Sequence, residues 1–253
     1  MTYPRASPAL LSTLALVVFG FAPAAVRVWV LAAALLAVVL SMIRPHHAVT
    51  PWSLVVGAVL AIKALLPDWD VWPIHLGVPV LLVACYSKLA RGPGPMASWA
   101  ALGSFAPGIK LLVGVVVLLS SAVFLLWAAV VDPEIGIPAE IQHRSALSLV
   151  LAGVAFAALN AILEEVVFRG IGLGALSAIF TARWPPVLLQ AAAFGALHYS
   201  LPSIPSGVSG VALTFAYGIA LGVLAELAEG IGASCLAHFL ADVLVFSVMM
   251  GWL

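Results

Sequence analysis

The stretch AILEEVVFRG, residues 161–170, places Glu164, Glu165 and Arg169 within six residues of an otherwise apolar run. A charged side chain at the bilayer centre costs at least ~2.5–3.5 kcal/mol on insertion scales, so charges inside a spanning helix are rare and usually functional. What these three residues mean depends on whether residues 161–170 lie in a membrane.

Composition answers that. The chain is 64% hydrophobic and 8% charged, whereas an ordinary globular domain carries about 25% charged residues. Apolar runs recur at about 9–26, 28–43, 52–66, 74–86, 109–131, 146–168 (continuing to 180), 186–199, 208–227 and 231–253. With roughly 20 residues needed for one span, they predict an all-α polytopic membrane bundle of about eight or nine transmembrane helices. Ten cations balance ten anions, so no basic surface invites nucleic acid. Cys85 and Cys235 lie far apart in apolar runs without zinc-site spacing and read as buried thiols. The first apolar run follows Arg5 and has the small residues of a cleaved signal peptide. A second run begins after only Arg27, which favours a retained first helix.

Outward from these runs, the loops are short and punctuated by proline, glycine and charge. LPDWDVWP (66–73) reads as an interfacial turn, with Trp69, Trp72, Trp99 and Trp127 as interfacial anchors. Residues 90–98 and 131–144 are the longest interruptions, and the second has room for a short interfacial helix. Lys63 and Lys110 sit near run ends and are expected to snorkel. Arg44, Lys88, Arg91 and Arg183 fall in alternate loops, with the acidic turns in the others. That pattern puts the N-terminus in the cytoplasm, Arg27 being the exception. Glu226 and Glu229 read as interfacial.

The polar residues of the second half sort by helical geometry. Residues four apart share a face, while neighbours diverge. Glu165 therefore stacks on Arg169 as an ion pair. Glu164 points elsewhere, with Asn160 one turn below it; lacking a local cation, it is free to act as a base. QAAAFGALH (190–198) places Gln190, Phe194 and His198 on one face, and HFLAD (238–242) sets His238 one turn from Asp242. Asp242 can orient His238 or share its proton. From the nearest turns, Glu164 lies roughly 27 Å along its helix, His198 roughly 20 Å and His238 roughly 12 Å. Tilt, or a kink at Gly170, Gly172 or Gly174, would bring them level. No H-E-x-x-H occurs, and GVSG (207–210) lacks serine-hydrolase spacing. Glu164, His198 and His238 are competent zinc ligands, but a metal-independent glutamate mechanism ranks ahead and no cofactor is expected.

Taken together, EEVVFR (164–169), FGALH (194–198) and HFLAD (238–242) resemble the three motifs of the CAAX-protease and bacteriocin-processing family of intramembrane peptidases: Glu-Glu-x-x-x-Arg, Phe-x-x-x-His and His-x-x-x-Asn or Asp. The order matches, as does the glycine after the arginine, Gly170. The resemblance covers roughly residues 146–250. It implies that Glu164, helped by His198, activates the attacking water. His238 and Asp242 would stand where the oxyanion is stabilised, with Glu165 and Arg169 holding the geometry and Asn160 and Phe194 supporting it. The prenyl-protein proteases of the family usually have asparagine where this chain has Asp242. An ionised aspartate cannot donate to an oxyanion, so it must be protonated or act through His238. The implied substrate is a membrane-anchored or lipidated protein, met in the bilayer of a bacterial inner membrane. Residues 146–253 would form the catalytic core and residues 1–145 an accessory, substrate-positioning part. Two other classes compete: a non-catalytic scaffold or immunity factor whose polar clusters only lock helices together, and a proton-coupled transporter, for which no repeat symmetry is visible.

Overall fold

The computed structural model describes residues 6–66, 68, 70–89, 100–131, 144–200 and 205–252. Among them every regular element is helical, as expected of a polytopic bundle. The helices are α1 (Ala6–Phe21), α2 (Ala24–Ile43), α3 (Val49–Leu65), α4 (Ile74–Leu89), α5 (Pro107–Val131), α6 (Ala146–Glu165), α7 (Leu173–Ser177), α8 (Trp184–Ser200), α9 (Gly207–Ala228) and α10 (Gly232–Met249). A π-helical segment, Val166–Gly172, joins α6 to α7 without a break. Five rods are long and apolar enough to cross a membrane: Ala24–Ile43, Pro107–Val131, Ala146–Ser177, Gly207–Ala228 and Gly232–Met249. Three more apolar helices, Ser7–Phe21, Val49–Leu65 and Ile74–Leu89, are shorter.

Local chemistry sets the ends. Pro23 caps α2 in an extended conformation that suits its fixed φ. Ser145 accepts the amide hydrogen of Ser148 at the start of α6, satisfying one of the free N–H groups there. At the other end of the bundle Glu229 takes up a left-handed conformation (φ 55°) that ends α9. The turn that follows is tied to the residues before α5: Ile231 N–H donates to Ala101, Gly232 N–H to Leu102 and Ser104 N–H to Ala228.

The molecule has the inside-out polarity of a membrane protein. Leu111, Leu118, Leu119 and Leu126 stand exposed on α5, while Glu165, Arg169, Gln190 and His238 are buried. One apolar core takes residues from both halves of the chain, among them Leu16, Phe19, Trp52, Val56, Phe168 and Phe194. Close approach between helices rests on small residues, the usual way helices associate in lipid. At Gly20 an added Cβ would lie 2.3 Å from the Ala196 carbonyl oxygen, so α1 and α8 meet there backbone to backbone.

Several expectations need correction. Cys85 is exposed and Cys235 half-buried, so they are not two buried thiols. Cys85 shares its face of α4 with exposed Leu81 and Leu82, a face left for lipid. Lys63 does not snorkel; its side chain is 4% exposed and holds Asp70 at 2.9 Å. Trp127 does more than anchor, donating to Ser209 Oγ at 3.1 Å. Residues 90–98, the interfacial helix expected within 131–144, and Trp69 and Trp99 fall wholly or almost wholly outside the described residues.

Candidate active site

The site begins at the end of α6. Glu165 is fully buried there, and Arg169 reaches back one turn from the π segment to place Nη1 2.7 Å from Glu165 Oε1. The expected ion pair is present, and the helix that carries it changes there to a π-helical segment. Leu173 N–H donates to the Phe168 carbonyl, five residues back rather than four. Such π segments recur inside α-helices at functional sites. The glycines lie in or beside a widened turn instead of breaking the rod. The Arg169 guanidinium lies over the Phe194 ring, 4.5 Å from its centroid, so charge and ring attract. Gln190, one turn before Phe194 on α8, donates to the Gly218 carbonyl at 2.9 Å and the Val187 carbonyl at 3.0 Å. α9 can approach closely enough because Gly222 presents no side chain to Gln190.

From α8, His198 pairs Nδ1 with the Phe194 carbonyl at 3.0 Å. A carbonyl only accepts, so Nδ1 carries the hydrogen and Nε2 is left for other chemistry. His238 enters from α10, its Nδ1 2.8 Å from Glu165 Oε1. The same argument puts the hydrogen on Nδ1, so one carboxylate oxygen receives both Arg169 and His238. On the far side of the ring, Nε2 faces Glu164 Oε2 at 3.4 Å and Asp242 Oδ1 at 3.6 Å. Phe194 and Tyr217 wall the imidazole edge to face, with centroids at 6.1 and 5.7 Å.

Two sequence expectations are altered by this geometry. Asp242 is expected to orient His238 or share its proton; in the structure Glu165 holds the ring, and Asp242 faces Nε2 from 3.6 Å, beyond hydrogen-bond length. The hydrogen bond Asp242 does make comes from Asn160 Nδ2, at 3.0 Å. Asn160 was expected beneath Glu164; its amide instead crosses to α10. Asn160 Oδ1 in turn accepts from Trp72 Nε1 at 3.0 Å. Trp72, expected as an interfacial anchor, thus reaches the polar cluster, and no local pattern in LPDWDVWP could have announced it. Tyr217 is the other residue missed; it sits in an apolar run with no charged residue near it in sequence.

Around these groups lies a cavity of about 290 Å³, bordered by Phe194, His198, Tyr217, His238 and Asp242 on one side and by Val116, Ser120 and Phe124 of α5 on the other. The residues α5 contributes are chiefly apolar. Glu164 is not on this wall and meets the site through His238. No hydrogen bond joins His198 to Glu164 among the described residues. Among the same residues, no three His, Cys, Asp or Glu side chains are grouped to hold a metal ion. Glu226, expected at an interface, pairs there with Arg183.

One segment therefore brings together Glu164, Glu165, Arg169, His198, His238 and Asp242 from three helices, in the order in which the sequence motifs run. The family model for type II CAAX prenyl endopeptidase Rce1-like proteins matches residues 145–244. No curated protein and no solved structure matches the chain. Over residues 145–244, which hold all the ionisable groups of the site, the chain is similar to the Rce1-like family of type II CAAX prenyl endopeptidases.

Proposed function

We propose that the protein is a glutamate-type intramembrane endopeptidase that hydrolyses a peptide bond in a membrane-anchored or lipidated protein. The observation that carries this is the convergence of the α6, α8 and α10 clusters on His238, beside a cavity with one polar and one apolar wall. Water attacks the scissile carbonyl carbon and its proton passes to Glu164. His198, with Nε2 uncommitted, helps to orient the water. As the C–O bond forms, His238 donates to the oxyanion from Nε2; among three carboxylates the ring acts as the imidazolium, with a hydrogen on each nitrogen. Asp242 acts through His238, since an ionised carboxylate has no hydrogen to donate. Collapse of the intermediate breaks the C–N bond, and Glu164 returns the proton to the leaving amine. No metal or other cofactor takes part.

The apolar lining supplied by α5 suits a substrate segment that arrives through the bilayer. Residues 146–253 serve as the catalytic core, and residues 1–145 support it and position the substrate. The protein works in a bacterial inner membrane with its N-terminus in the cytoplasm.

The test is a co-expression processing assay with epitope-tagged membrane substrates, comparing wild type with Glu164→Gln at matched membrane levels. The near-isosteric variant is expected to lose roughly 10²–10⁴-fold in cleavage rate, the usual contribution of a general base. Equal processing by both forms would overturn the assignment. A biological phenotype that survives Glu164→Gln but not Arg169→Ala would favour the non-catalytic scaffold.

A further inference from the structure

Trp72 belongs to the turn between α3 and α4, 88 positions from the side chain it touches. Its indole is a donor only. Because Trp72 Nε1 lies 3.0 Å from Asn160 Oδ1, the Asn160 amide is turned one way: its oxygen faces the indole and its nitrogen faces α10. That orientation lets Asn160 Nδ2 donate to Asp242 Oδ2 at 3.0 Å, leaving Oδ1 as the oxygen that looks toward His238 Nε2. If the amide turned over, its oxygen would oppose the carboxylate and push Asp242 out of line.

The turn is built to keep the indole still. Lys63 grips Asp70, two residues before Trp72, through both carboxylate oxygens at 2.9 and 3.0 Å. Ile74 and His75 both donate to the Val71 carbonyl, and Gly77 donates to that of Pro73. The Trp72 ring packs on Phe156 of α6 with centroids 4.8 Å apart, and Phe156 meets Phe246 of α10 at 6.4 Å. The indole thus packs against α6, whose Phe156 in turn meets α10.

We propose that Trp72 is a positioning residue of the active site: its N–H sets the orientation of the Asn160 amide, and through it the placement of Asp242 against His238. This rests on the peptidase assignment above for its catalytic consequence. It gives the N-terminal half a direct part in the chemistry and supplies the chain's own setting for an aspartate at position 242. A carboxylate there is held by a carboxamide from the neighbouring helix.

Trp72→Phe keeps an aromatic ring beside Phe156 and removes the N–H, along with part of the indole's bulk. With a farnesylated, internally quenched CAAX peptide as probe, the variant is expected to lose roughly tenfold in kcat with KM within about twofold, as for a misplaced catalytic group. A kcat unchanged from wild type would overturn the proposal, and so would a loss matched by loss of folded protein in a thermal melt. A second measurement is independent of turnover. In the ¹⁵N–¹H spectrum of the full-length protein in detergent, the Trp72 indole signal is identified by its disappearance in Trp72→Phe. That signal should shift in Asp242→Asn and stay in place in Glu229→Gln. An indole signal indifferent to Asp242→Asn would overturn the relay whatever the activity. A wild type that leaves the probe uncleaved while the indole signal still shifts would count against the peptidase assignment and leave the relay standing.

Discussion

Glu165 Oε1 is the most heavily used atom of the site, receiving Arg169 at 2.7 Å and His238 at 2.8 Å with no exposure to solvent. Removing its charge leaves a buried guanidinium uncompensated, which typically costs about 3–5 kcal/mol. Glu165→Gln is therefore expected to lower the melting temperature in detergent as well as abolish cleavage. Glu164→Gln should abolish cleavage alone, and parallel melts and assays on the two variants separate scaffold from chemistry. Asp242→Asn is expected to keep cleavage within about tenfold, because a carboxamide can still pair with Asn160, whereas Asp242→Leu loses that bond and leaves an amide unpaired. At this scale the sequence is legible where partners are close along the chain. The Glu165–Arg169 pair follows from a spacing of four on a helix. The Glu165–His238 bond, across 73 positions, and the Trp72–Asn160 bond depend on how helices pack, which residue spacing alone does not encode.

Among the elements, the π segment and the glycine contacts set where the side chains stand. Helical arithmetic from the Arg183 turn leaves Glu164 some way past His198 along neighbouring helices, a gap that tilt or a glycine kink would close. The chain instead widens one turn there, Val166–Gly172. A 3.6-residue wheel cannot foresee this, because the added residue per turn shifts every face beyond it. The glycines themselves are not equivalent. At Gly20 a Cβ would collide with the Ala196 backbone, whereas at Gly174 it would meet nothing within 4 Å. Gly20→Ala is expected to destabilise the fold by about 1–3 kcal/mol through overpacking. Gly174→Ala should be neutral or stabilising by up to about 1 kcal/mol through helix propensity. Thermal melts of the two variants in one detergent make the comparison.

At the scale of the whole molecule, composition alone was enough for the class: a chain so poor in charge and so rich in apolar runs has few ways to exist outside a bilayer. It could not show which runs pack together. The core that surrounds the site mixes Leu16, Phe19 and Trp52 from the N-terminal helices with Phe168 and Phe194 from the C-terminal half. Residues 144–253 expressed without α1 to α5 are therefore expected to show no cleavage and poor recovery from membranes. Co-expression of residues 1–131 as a separate chain should restore both in part, which blotting and the processing assay would show.

The meeting of Gly20 with Ala196 also fixes an order in time. Chains are made at about 5–20 residues per second, so α1 exists for roughly ten seconds or more before the helix it must embrace has been synthesised. Through that interval its Gly20 face has only lipid or the earlier helices to lie against. His238 and Asp242 emerge later still. A half-made chain thus holds Glu164 without the His238 it faces, and the polar cluster is complete only as the last helix settles into a bundle whose first member has been waiting for it.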